Sequence, residues 1–151
     1  MHSPLIPAKE YDRIVEQMPI CCVDLLPIND GQFLLSWRIN DPGKDQWFPV
    51  GGRIYKGETL IDAAMRKLRE ELGVTMPEEA FKQIFAGETI FHGKTVDQNR
   101  HSVNIVYVVE LNDMAFVLDS TQLAEVAWFS SVNSEWHPYV REILSVAGFN
   151  E

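Results

Sequence analysis

Glu58, Asp62, Arg66 and Glu70 recur at intervals of four, with Glu71 beside the last of them. On an α-helix that spacing stacks side chains into one stripe. Carboxylate oxygens are the ligands a hard cation such as Mg²⁺ takes, and two carboxylates are the usual protein share of a site that also holds phosphate. Arg66, one turn before Glu70, is placed to orient a carboxylate through a charge-assisted hydrogen bond. By periodicity alone, the same stripe also fits a solvated charged helix face. A second residue stands apart: Asp24 interrupts the apolar run 20–28. A carboxylate there needs a partner, in a functional site or in a structural ion pair.

The elements that must carry these residues can be read from the pattern. Ile61, Ala64, Met65, Leu68 and Leu72 form an apolar stripe that predicts a helix over 58–72, with Gly73 at its C-cap. Gly51-Gly52 ahead of it marks backbone that turns sharply or approaches a ligand closely. Residues 8–18 read as a short amphipathic helix ending before Pro19. Residues 20–28 and 32–37 read as a strand pair joined by Asn29-Asp30-Gly31. Strands are expected at 81–91, 103–111 and 125–129, a polar loop at 93–100, and a C-terminal helix at 138–146 opened by Pro138. Strands around one central helix, with another near the end, predict an α/β sandwich on a mixed sheet, as one domain over 1–151 with residues 1–18 as a helical extension.

Gly52-x5-Glu58-x7-Arg66-x-Leu68-x-Glu70-Glu71-x-Gly73-Val74 resembles the Nudix box, the loop-helix-loop G-x5-E-x7-R-E-U-x-E-E-x-G-U in which U is bulky and aliphatic. One fixed position departs: Lys67 stands where the box has its first Glu after the Arg. The resemblance implies a Nudix-type α/β/α sandwich and Mg²⁺- or Mn²⁺-dependent hydrolysis of a nucleoside diphosphate linked to another moiety. Glu70 and Glu71 would be metal ligands, with Glu58 and Arg66 supporting them in catalysis. Lys67 cannot hold Mg²⁺. It is expected either to pair with Glu71 at i+4 or to face solvent.

Ahead of the box come an N-terminal helix, Pro19, a strand containing Asp24, then Phe33-Leu34-Leu35, Arg38, Asn40, Pro42, Trp47-Phe48 and Gly51-Gly52-Arg53. This layout, over most of residues 5–75, is similar to the GDP-mannose mannosyl hydrolase branch, which also lacks that Glu and attacks the sugar carbon, releasing nucleoside diphosphate and free sugar. This resemblance implies substrate contacts from Asp24, Arg38 and Arg53, a metal-binding carbonyl from Gly51, and further metal ligands in Glu71 and Gln122. Leu123 stands where the branch carries its catalytic His, so the base is left open among His92, His101, His137 and Glu125. The order Pro49-Val50 reverses the usual Val-Pro before the glycines.

Composition bounds the rest. The chain has 151 residues, 46% hydrophobic and 23% charged, with a formal net charge of −9. This disfavours general nucleic-acid binding, which needs clustered cations. Adjacent Cys21 and Cys22 have neither metal nor redox spacing and read as small apolar strand residues, in keeping with a reducing, cytoplasmic setting. No apolar run is long enough for a membrane helix. The resemblance allows a homodimer through the N-terminal helix. A phosphoanhydride-cleaving Nudix enzyme and a non-catalytic nucleotide-binding module are the alternatives to a sugar-nucleotide hydrolase.

Overall fold

The computed structural model describes residues 6–111 and 125–151. Among them the order is α1 (Ala8–Gln17), β1 (Ile20–Asn29), β2 (Gln32–Trp37), β3 (Trp47–Phe48), β4 (Val50–Arg53), α2 (Leu60–Leu72), a 3-10 turn (Glu78–Ala80), β5 (Phe81–Phe91), β6 (Arg100–Glu110), β7 (Glu125–Phe129) and α3 (Pro138–Val146). β1 is the central strand. It runs parallel to β6 along its length, and β6 pairs antiparallel with β5. Its other edge is shared by β4, at Cys22–Leu25, and by the start of β2. β2 continues the sheet to β3 and β7. The β1–β2 turn works because Asp30 and Gly31 both adopt positive φ, as the tightest hairpins require.

Alternation along β1 and β6 sorts the core into two layers. Val23, Leu25, Tyr107 and Val109 pack with Ala63, Ala64, Leu68 and Leu72 of α2. Leu26 and Val106 pack with Phe33, Tyr139, Val140, Ile143 and Leu144 on the α3 side. The expected α/β/α sandwich with a mixed sheet is therefore present.

Several ends shift by one residue, and two element starts differ by more from the sequence reading. α2 starts at Leu60, because the Thr59 hydroxyl caps it by accepting from the Asp62 amide, so Glu58 precedes the helix. β6 starts at Arg100, where pairing with Phe91 extends the ladder beyond the apolar run. The two cysteines lie on β1, as read, with Cys21 exposed and Cys22 partly so. No helix among the described residues is long and apolar enough to cross a membrane.

Candidate active site

The charged residues of the box meet around Arg66. Its Nε donates to Glu58 Oε2 at 2.7 Å and its Nη2 to Glu58 Oε1 at 2.9 Å, a two-point fork. The same Nη2 reaches the Arg53 carbonyl at 2.9 Å, which ties α2 to the end of β4. Nη1 reaches Glu70 at 3.1 Å. Glu58 also accepts from the Tyr55 amide at 2.8 Å, and the Tyr55 ring lies 3.7 Å from the Arg66 guanidinium carbon. The hydrogen bond from Arg66 holds the Glu58 carboxyl below the usual carboxylate range. Glu58 thus joins the cluster from the loop, not from the helical stripe. Asp62 is exposed and makes no side-chain contact with the cluster.

Lys67 turns inward instead of facing solvent. Its Nζ donates to Glu71 at 2.6 Å and lies 3.4 Å from Glu70. A Cβ at position 52 would sit 2.8 Å from Lys67 Cε, so a side chain there would make the flexible end of Lys67 shift. Gly52 leaves room for the ammonium where it lies.

On the other side of β4 a cavity opens between the sheet and α1. Its walls include Asp24, Arg38, Gly51, Gly52, Arg53 and Arg100, with Cys22, Ser102 and Asn104 from the neighbouring strand positions. Asp24 faces the α3 layer from β1 and accepts from the Tyr139 hydroxyl at 2.5 Å. Burial pushes its carboxyl up to about 6, against the pull of that hydrogen bond and of Arg38. Gly51 is its neighbour in register, and a Cβ at 51 would collide with the Val23 carbonyl and the Asp24 carboxyl. Arg38 donates to the Pro42 carbonyl at 2.6 Å and lies over Phe48. The guanidiniums of Arg53 and Arg100 both lie over the Tyr11 ring of α1, at 5.3 and 5.4 Å from its centre. Arg100 also bonds Asp97 at 2.8 Å, while its Nε is buried with no hydrogen-bond partner among the described residues. Burial pushes the Cys22 thiol up to about 12, so it stays protonated.

Asp24, Arg38, Arg53 and Gly51 thus share one cavity wall, and Glu58, Arg66, Glu70 and Glu71 share one cluster behind Gly52. Among the described residues no three His, Cys, Asp or Glu side chains converge as a ready-made metal nest. Gln122 and Leu123 lie outside the described residues. Of the histidines considered as bases, only His101 lines the cavity, where it pairs with Glu88 at 3.1 Å. His92 is exposed, and His137 caps α3. Glu125 is exposed on β7 opposite Trp37. Sequence reasoning missed Tyr139, Tyr11 and Arg100. One signal was available: Arg100, Ser102 and Asn104 place polar side chains on alternate positions at the head of an otherwise apolar strand.

Comparison with known proteins agrees with this geometry. A NUDIX domain family model matches residues 19–138. The chain belongs to the NUDIX domain family. It is a Nudix hydrolase, and hydrolases of this family act on small nucleotide substrates. It is 34% identical to the low-salt glycan biosynthesis protein Agl8 of Haloferax volcanii over 92% of this chain and 88% of that one. It is 27% identical to the nucleoside triphosphatase NudI of an Enterobacter species, over 82% and 83% of the two chains. A MutT NUDIX hydrolase from Burkholderia pseudomallei has the same fold, with a TM-score of 0.71 at 20% identity over 85% of this chain and 98% of that one.

Proposed function

We propose that this Nudix hydrolase cleaves a nucleoside diphosphate sugar of the GDP-mannose kind, releasing nucleoside diphosphate and free sugar with Mg²⁺ or Mn²⁺ as cofactor. The observation that carries the reading is the cavity itself: a cation-rich wall of Arg38, Arg53 and Arg100 in a chain of net charge −9, facing the buried carboxylate of Asp24. Arginines suit a diphosphate, whose oxygens they hold by charge and paired hydrogen bonds. A partly enclosed carboxylate suits the hydroxyls of a sugar. The likeness to a glycan biosynthesis protein supports the sugar half of the substrate.

The donor set fits one hard divalent cation. Glu70 and Glu71 supply two adjacent carboxylates, Glu58 is committed to Arg66, and the Gly51 carbonyl and Gln122 are the further ligands of this reading. Water and the substrate's phosphates would complete the shell. When bound, the cation neutralises negative charge gathering on the diphosphate as it leaves. The protein's own part is positional. Arg66 orients Glu70, and its bond to the Arg53 carbonyl fixes β4 between carboxylates and cavity. Arg38 and Arg53 hold the leaving diphosphate, Asp24 orients the sugar, and His101 accepts the proton of attacking water.

The nucleoside triphosphatase relative supports a second reading, cleavage at a phosphoanhydride. Mass spectrometry of the products from a panel of nucleoside diphosphate sugars and nucleoside triphosphates separates the two. Nucleoside diphosphate plus free sugar is expected; nucleoside monophosphate plus sugar phosphate would move the chain to the second reading.

A further inference from the structure

We propose that Lys67 is a built-in cation of the box, partly occupying with its own ammonium the charge that a divalent ion supplies, so that the free protein binds such an ion weakly and completes its site only with substrate phosphate present. This rests on the reading of Glu70 and Glu71 as metal-binding carboxylates.

Three observations support it. The ammonium sits 2.6 Å from Glu71 and 3.4 Å from Glu70, so one group engages both carboxylates. The lysine side chain is only 13% exposed and lies against Gly52, the wall between cluster and cavity. Helix stability gives little reason for it, because Lys preceding Glu by four is the weaker order for a helical pair. The electrostatics follow from the residue types. Glu58, Glu70 and Glu71 against Arg66 and Lys67 leave one net negative charge; a Glu at position 67 would leave three. A site nearly neutral before any ion arrives has little pull on that ion, and the added charge of a diphosphate restores it.

The experiment is a Mn²⁺ titration followed by electron paramagnetic resonance on the whole chain without substrate, comparing wild type with Lys67→Gln and Lys67→Glu. Melting with and without Mg²⁺ is measured in parallel. Affinity is expected to rise from wild type through Lys67→Gln to Lys67→Glu, by about tenfold or more in total. Mg²⁺ should raise the melting temperature of both variants more than that of wild type. Equal Mn²⁺ affinity in all three proteins, or no binding in any, would overturn the proposal. Should Lys67→Glu fail to fold, by circular dichroism and gel filtration, the Lys67→Gln comparison decides alone. Glu71→Gln tests the underlying reading separately: Mn²⁺ binding unchanged in that variant removes the metal site itself, whatever Lys67 does.

Discussion

Asp24 and Tyr139 stand 115 positions apart and share a hydrogen bond at a carboxyl that lines the cavity. Asp24 could be singled out because a carboxylate in an apolar run needs a partner. Its partner could not, since the contact exists only once α3 packs on the sheet. Tyr139→Phe removes the donor from an enclosed carboxylate and is expected to lower stability by about 1–3 kcal/mol in urea unfolding. Arg66 was legible in role because its spacing to Glu70 is helical. The stronger bonds to Glu58 and to the Arg53 carbonyl depend on how the loop folds back. Arg66→Lys keeps the charge but loses the fork. It should reduce kcat by about tenfold or more while the far-ultraviolet spectrum stays native, as steady-state kinetics on the two proteins will show.

Elements were read best where the apolar period was unbroken. The strands at 32–37, 81–91 and 125–129 and the helix at 138–146 were placed as the structure has them. The reading failed where hydrogen bonding decides a boundary: a Thr59 cap placed Glu58 outside α2, and polar Arg100 still pairs in β6. Caps also make α3 sensitive to pH. His137 Nδ1 accepts from the Tyr139 amide at 3.1 Å, and burial against Phe48 and Phe91 holds its pKa below the usual value. As pH falls through about 6.5 the unfolded chain takes up this proton before the folded one, so the stability contributed above that pH is lost below it. Asp24, whose carboxyl is raised to about 6, acts in the opposite sense below that pH, so thermal melts between about pH 6 and 8 should show this decline. In His137→Asn, which keeps a capping side chain but does not titrate, the decline should be smaller. An identical pH slope in both proteins would assign the decline to other groups.

For the whole molecule, a net charge of −9 disfavours a general nucleic-acid surface but conceals a cavity whose charged wall is mainly arginine. Net charge averages over the surface, whereas the sheet gathers Arg38, Arg53 and Arg100 from three separate strands or strand ends. The N-terminal helix, read as a possible dimer arm, packs against β6 of its own chain and brings Tyr11 to the cavity. Deleting residues 1–18 is therefore expected to raise KM for a nucleoside diphosphate sugar several-fold, about 3- to 10-fold, even if the shortened chain folds. The most direct test of the central claim is turnover of GDP-mannose in ¹⁸O-labelled water with Mg²⁺, reading both products by mass spectrometry. Label in the released sugar is the expected result and means attack at carbon. Label in a phosphate would contradict it and make this chain a phosphoanhydride-cleaving Nudix hydrolase.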